Sequence, residues 1–547
     1  MQPKRLAAAA AVAVVVLASV GNLAEAAPGE TELVSVVASG SRAAGDSNLR
    51  HGGGALSADG RYLVFHSYRA SIAPGDDNGV ADVFLRDLER GVTRLVSASV
   101  EGGVANAYAA DASISADGRY VAFFSPADDL VRGVRSGAGD IFVWHRESGH
   151  MELASVGAGG QQGDDVSLES AISADGRYLA FTSFASNLAR NDTNDRADVF
   201  LRDRQAGYTE RVSVASDGRQ ANGDSWQPCV SADGRYVAFY STATNLVPDD
   251  HGDMQDVFVR DRQTRRTLRA SVAADGTPAN GYSVQPTLSG NGRYVAFVST
   301  ATNLVPGDTN GRIDVFVKDL QSGHIERVSV SSTGNQGNGG SDEPALSADG
   351  RYVVFESFAS NLVPGDTNAS HDVFLHDRET GETRRVSVGT GGTEPDAASW
   401  TPSLSADGRF VAFRSDATNL DTRDDNRSSD VYVRDLGPND SGTVAFTIKP
   451  SALDFGTRTV GSSTTQSFWL RNKSGTYLAI DGMALRGPDR AAFHLAHNCG
   501  TLVAPDDVCR ISVTFRPATA GSMSAALKVY AAGDVVRTRE LAGAAAW

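Results

Sequence analysis

Hydrophobic and polar positions alternate with a period of two in short runs along most of the chain. Tyr236-Val237-Ala238-Phe239 and Val257-Phe258-Val259 show the pattern, which marks strands with one buried and one solvated face. Ala232-Asp233-Gly234-Arg235 precedes the first of these runs and reads as a tight hairpin, because Asp-Gly tolerates the positive φ that such turns need. In this part of the chain strands are predicted over 228–231, 236–241 and 256–260, with 210–214 closing the preceding unit. No segment after residue 30 sustains a 3.6-residue period, so helices are not expected.

The pattern repeats. Ser-Ala-Asp-Gly-Arg-Tyr/Phe begins at Ser57, Ser115, Ser173, Ser231, Ser347 and Ser405, and Ser289-Gly290-Asn291-Gly292-Arg293-Tyr294 fills the one gap, all at intervals of 58 residues. A second landmark, Asp followed by Val/Ile and Phe/Tyr, keeps the same interval at Asp82, Asp140, Asp198, Asp256, Asp314, Asp372 and Asp430. Seven copies of four short strands predict an all-β, seven-bladed β-propeller over residues 31–440. The residues two before each landmark serine are small (Ala55, Ser113, Ala171, Cys229, Thr287, Ala345, Ser403), as expected where seven inner strands converge on one axis. Their aliphatic neighbours, from Leu56 to Leu404, point the other way and should pack between blades. Glu32-Leu33-Val34-Ser35-Val36 resembles the outermost strand of a repeat, such as Arg211-Val212-Ser213-Val214, and is expected to complete the last blade and tie the chain's ends together.

These repeats resemble the bacterial WD40-like (PD40, TolB-type) propeller repeats, whose Ser-Pro-Asp-Gly-Lys/Arg turn corresponds to Ser-Ala-Asp-Gly-Arg here. TolB-like proteins have six blades and an amino-terminal α/β domain, and this sequence shows neither. The resemblance therefore implies the fold more than an envelope-assembly role with a lipoprotein partner.

After Asp435 the repeat ends and residues 437–442 read as a linker. Residues 444–547 again alternate in strand fashion, as in Ser467-Phe468-Trp469-Leu470. Leu453-Asp454-Phe455-Gly456, Cys499-Gly500 and the run Cys509 to Pro517 resemble the HYDIN-like or ASH domains of choice-of-anchor surface proteins. That resemblance implies an immunoglobulin-like β-sandwich used as a spacer or attachment module. Cys499 and Cys509 match that family's pair and are the disulfide candidates in an exported protein. Cys229, the third cysteine, occupies a small channel position and reads as a buried, inert thiol.

Composition adds direction. Lys4 and Arg5 precede an apolar run ending at Val20, and Ala24-Glu25-Ala26 offers a cleavage point, so residues 1–26 read as a secretory signal peptide. No other apolar stretch is long enough to span a membrane in the mature protein. The 547 residues carry a formal charge of −16, which disfavours nucleic acid as a partner. Residues 444–547 hold 11 basic and 7 acidic side chains and residues 1–26 a net +1, which leaves −21 for the residues between.

Many of those acids fall in loops of the form Asp-x-Asn-x-x-x-Asp between the second and third strands: Asp76, Asn78, Asp82; Asp192, Asn194, Asp198; Asp308, Asn310, Asp314; Asp366, Asn368, Asp372; and Asp424, Asn426, Asp430. In the fourth repeat Gly252 replaces the Asn between Asp250 and Asp256. Oxygen donors one, three and seven places along a turning loop can converge on a hard cation, so calcium is the candidate cofactor. The loops resemble those of integrin-type propellers without the first acidic position, where Pro306 stands. The same residues can also serve only to hydrogen-bond the loop's own backbone.

In an up-and-down blade the loop between strands two and three shares a face with the connection to the next blade. Positions that vary among repeats on that face are free to form an asymmetric site. Trp226 and Trp400, equivalent to Ala110, Leu168, Val284 and Asp342, are the ligand-contact candidates. His371 and His376 bracket Asp372, with alternation placing His371 in the loop and His376 beyond the strand; both read as solvated rather than as a metal or acid–base site. No Gly-x-Ser-x-Gly, His-Glu-x-x-His or phosphate loop is present. The sequence thus describes a monomeric, secreted or envelope (periplasmic) binding or scaffold protein, its partner a protein or a carbohydrate. The alternatives are a propeller glycosidase or lyase and a TolB-like assembly factor. Two carboxylates converging in an aromatic-lined pocket would favour an enzyme.

Overall fold

A computed structural model describes residues 29–36, 46–437 and 446–546, apart from brief stretches inside them. The expected signal peptide lies outside these residues, as does most of the linker. Among the described residues, 31–435 form seven antiparallel four-stranded sheets, each ordered as in the chain except the last. They span 47–95, 110–153, 167–211, 225–269, 283–327, 341–385 and 399–435, here blades one to seven. Blade four runs Ser225–Val230, Tyr236–Ser241, Asp256–Asp261, Arg266–Arg269. Its inner strand begins three residues before the expected position, because Ser225 and Trp226 pair with Ser241 and Tyr240 ahead of Pro228.

Blade seven takes its fourth strand from the amino end. Thr31–Leu33 pairs with Asp430–Asp435, Thr31 opposite Arg434 and Leu33 opposite Tyr432. Ser35 Oγ then donates to Asp430 Oδ1 at 2.5 Å. The same serine-to-aspartate bond recurs in every other blade, for example Ser97 to Asp82 and Ser329 to Asp314, each 2.6 Å. The second landmark aspartate is therefore a buried anchor for the outer strand.

Within each blade two aromatic rings stack across strands two and three, from Phe65–Phe84 at 5.6 Å to Phe413–Tyr432 at 5.9 Å. These rings are fully buried, and each contributes about 2–3 kcal/mol of burial. Between blades the Ser-Ala-Asp-Gly-Arg turn is the fastener. Ser231 Oγ donates to Asp233 and accepts from Tyr236 N, while Arg235 grips Asp261 through two bonds of 3.0 and 2.7 Å. Gly234 has φ +71°, and a Cβ there would lie 2.1 Å from the Tyr178 ring of the preceding blade. Arg262 stacks on the same ring, 4.7 Å from its centre. The ring of blades closes in this way too, with Phe410 of blade seven beneath Gly60 of blade one.

Residues 446–546 form a four-stranded and a five-stranded sheet. Their shared core includes Phe455, Phe493 and Phe515, and Cys499 and Cys509 form the expected disulfide. The free Cys229 is half-buried. Burial pushes its thiol up from the usual range, in keeping with an inert group.

Candidate functional site

The inner strands carry a bulge that the sequence pattern does not announce. Opposite the second strand, Trp226 pairs with Tyr240 and Cys229 with Ala238, so the inner strand spends one residue more than its partner. The surplus is absorbed at Gln227, which takes φ 49°. The same left-handed conformation recurs at Asp111, Glu169, Gln285, Glu343 and Thr401, and at Gly53 in blade one. A non-glycine residue pays roughly 1 kcal/mol for this conformation, and bulges re-aim side chains toward sites. Here Asp111, Glu169, Gln227, Gln285 and Glu343 line a central cavity of about 80 Å³ together with Cys229. Blade one has four more residues than blade four between the equivalent points of its inner strand. That insertion brings Arg50 into the cavity, donating to Gly53 O and Pro228 O at 3.3 and 3.4 Å.

The ring is wired from blade to blade. Glu169 Oε2 accepts from Gln227 N at 2.8 Å, and Gln285 Oε1 accepts from Glu343 N at 3.3 Å. Gln285 Nε2 also donates to Glu343 Oε1 at 2.5 Å. Burial raises the Glu169 carboxyl, which its hydrogen bonds only partly oppose.

At the loop-face end of the inner strands, here called the mouth, blade six departs from the other repeats. Asp342 on Ser341–Leu346 lies directly opposite Glu356 on Tyr352–Ser357, and His371 immediately precedes Asp372–Asp377. One donor atom from each of the three lies within 4.8 Å of the others. Glu356 is 6% exposed, and its Oε2 accepts from Thr401 N at 2.7 Å. Burial, then the neighbouring charge of Asp342, pushes its carboxyl up to about 9. Next door in blade seven the Arg414 guanidinium lies 4.9 Å from the centre of the Trp400 ring and donates to Ser429 Oγ at 2.7 Å.

The two tryptophans stand where the sequence places them, on the inner strands at the loop face, and both are half-buried. Trp226 meets Phe184 edge-on at 5.4 Å. Tyr68, Phe184 and Phe358 directly follow second strands, while Tyr108 lies just before an inner strand and Tyr282 directly precedes one. All five are exposed, with Tyr68 at 57% and Phe358 at 51%, and the topology puts all five on this one face.

The Asp-x-Asn-x-x-x-Asp loops are brought together as pairs of carboxylates, with a guanidinium between them in several blades. Arg211 Nη1 lies 2.8 Å from Asp192 and 3.2 Å from Asp198, and Arg327 Nη1 lies 2.9 Å from Asp308 and 3.5 Å from Asp314. Arg269 and Arg385 do the same for Asp250 with Asp256 and Asp366 with Asp372. Asn78, Asn194, Asn310, Asn368 and Asn426 each donate an amide N–H to the last aspartate of the loop. In blade seven Asp430 pairs with Arg69 at 2.5 Å and Tyr432 donates to Asp424. In blade one Leu95 stands where blade three has Arg211.

Sequence reasoning did not single out Asp342 or Glu356 as donors, and it read His371 as solvated. His371 is half-buried against Glu356 and the Phe358 ring instead of standing in solvent. His376 lies inside its strand rather than beyond it, buried and bonded through Nδ1 to Thr383 Oγ1 at 2.8 Å. The signal that finds the mouth is comparison of repeats by column. Position 356 is His66, Phe124, Thr182, Tyr240, Val298 and Arg414 in the other copies.

Comparison with known proteins adds the following. Residues 445–540 match the family model of the HYDIN/CFA65/VesB-like, Ig-like domain, which bears out the resemblance read from the cysteine and aromatic motifs. No curated protein matches the chain significantly. Among solved structures, a protein described as TolB from Agrobacterium tumefaciens is 16% identical, covering 63% of this chain and 95% of its own, with a TM-score of 0.34. Hydrazine synthase of Kuenenia stuttgartiensis is 15% identical over 69% of this chain and 93% of its own, TM-score 0.34. The GH74 xyloglucanase of Xanthomonas campestris is 11% identical over 75% and 54%, TM-score 0.39. None of these likenesses bears on activity. The fold is all-β, repeated four-stranded sheets followed by an Ig-like domain.

Proposed function

We propose that this is an exported glycan-binding protein whose ligand lies across the loop face of the propeller, over the mouth between blades six and seven. The observation that carries the reading is the presence of five exposed aromatic rings, Tyr68, Tyr108, Phe184, Tyr282 and Phe358, on one face. These rings surround a polar centre of carboxylates, amides and Arg414. Flat rings beside convergent hydrogen-bonding groups suit sugar rings, which present an apolar face and an equatorial rim of hydroxyls. The net negative charge of the propeller favours neutral or amino sugars over acidic polymers. Trp400, Phe358 and Trp226 are the contacts nearest the mouth. The disulfide suits an oxidising compartment, and no helix among the described residues is long and apolar enough to cross a membrane. Export and the signal peptide belong to this proposal, and amino-terminal sequencing of the secreted protein tests them.

The glycosidase alternative is the weaker reading. Glu356 and Asp342 are hydrogen-bonded to each other, whereas glycoside hydrolysis needs two carboxyls on either side of a sugar, about 5–10 Å apart. Calcium enters the proposal only at Asp76, Asn78 and Asp82 of blade one, where Leu95 replaces the bridging arginine. A melting temperature unmoved between millimolar calcium and EDTA removes it. The glycan reading is tested by a glycan array followed by titration of the hit against the wild type and Trp400→Ala. Loss of affinity by tenfold or more supports it, and the absence of any glycan hit sinks it.

A further inference from the structure

We propose that Asp342, Glu356 and His371 form a binding site for a divalent transition-metal ion of the zinc, manganese or ferrous class. Three separate stretches of blade six deliver one donor each, and the donor atoms lie within 4.8 Å of one another. The His371 Nδ1 atom is buried and makes no hydrogen bond. It lies 3.9 Å from Glu356 Oε1, too far for a direct hydrogen bond. An ion held about 2.0–2.2 Å from an imidazole nitrogen and from a carboxylate oxygen spans that gap.

The repeat supplies its own control. The equivalent trio is Val284, Val298 and Ile313 in blade five, Leu168, Thr182 and Ala197 in blade three, and Ala110, Phe124 and Gly139 in blade two. A blade therefore folds with aliphatic residues at these three places, and the scaffold has no need of two carboxylates and an imidazole there. Buried aspartate pairs in blades three to six are bridged by Arg211, Arg269, Arg327 and Arg385. At Glu356 the leading influences after burial are Asp342, Thr401 N–H and Glu343, none of them cationic. A dication at this trio fills the role that the guanidinium plays in the loops.

The donor set selects the metal. Imidazole with two carboxylates suits zinc, manganese or iron(II), while calcium and magnesium prefer oxygen alone. Three protein donors leave a coordination position for water or a ligand atom. The Thr401 N–H to Glu356 Oε2 bond of 2.7 Å orients the carboxylate from the neighbouring blade, as outer-shell bonds commonly do.

The inference does not rest on the glycan reading, because zinc binding is measured with no sugar present. The full chain is stripped with chelator, dialysed against micromolar zinc and analysed for metal content, in parallel with His371→Ala and Asp342→Asn; circular dichroism checks that each variant is folded. Cobalt(II) substitution gives a visible spectrum that reports imidazole ligation. The expected result is one zinc per chain in the wild type, with affinity reduced at least tenfold in each variant and the cobalt spectrum lost in His371→Ala. A wild type without stoichiometric zinc, or a folded variant that keeps the wild-type affinity, overturns the proposal.

Discussion

Glu356 is 6% exposed and shares its surroundings with Asp342 and Glu343, so burial and like charge push its carboxyl up to about 9 from an ordinary 4.5. The folded protein therefore holds a proton that the unfolded chain has released between those two values. Stability from this group is fully present at acid pH and is lost as the pH rises toward 9. In chelator, urea denaturation of the wild type at pH 5, 7 and 9 should show falling stability, and Glu356→Gln should flatten that fall. A slope that the substitution leaves unchanged contradicts the assignment. A second test at this scale separates backbone strain from crowding. Gly234 and Gly218 both have positive φ, but a Cβ at Gly234 meets Tyr178 at 2.1 Å while one at Gly218 meets nothing within 4 Å. Gly218→Ala should cost about 1 kcal/mol, and Gly234→Ala about 2 kcal/mol or more, by equilibrium denaturation.

At the scale of the element, the inner-strand bulge and the acidic loop show what could be read from the sequence. The landmark turns, the Asp-Val-Phe strands and the small axial residues were legible because they recur every 58 residues and each type has one physical job. The bulge was not, because Gln227, Glu343 and Thr401 are not residue types that announce a left-handed backbone. The blade-six trio was hidden for another reason: Asp342, Glu356 and His371 are 14 and 15 residues apart, and only the strand register brings them together. In the loops the carboxylates were legible, but the guanidinium between them comes from the fourth strand. Arg327 should thus be a structural counterion. Arg327→Met leaves Asp308 and Asp314 buried without it and is expected to cost about 3 kcal/mol at neutral pH, measured by denaturation with calcium absent. A loss below about 1 kcal/mol would mean that the pair is held by its other bonds.

For the whole molecule, closure depends on few residues. Thr31–Leu33 supply the last strand of blade seven, and Gly29, Val34 and Ser35 add further hydrogen bonds to Asp430–Asp435. Deleting residues 29–36 from the mature chain should lower the melting temperature of the propeller and expose the edge of Asp430–Asp435 to aggregation, while reduction of Cys499–Cys509 should affect the sandwich alone. Hydrogen exchange resolved by segment distinguishes the two effects. The central claim is that this ring holds a glycan over its loop face at blades six and seven. Its most direct test is calorimetric titration of the array-identified glycan into the wild type, Trp400→Ala, and Tyr208→Ala, the last altering an exposed aromatic at the start of an outer strand on the opposite side. Binding lost in Trp400→Ala and unchanged in Tyr208→Ala is the result expected; equal affinity in all three proteins, or loss only with Tyr208→Ala, contradicts the placement of the site.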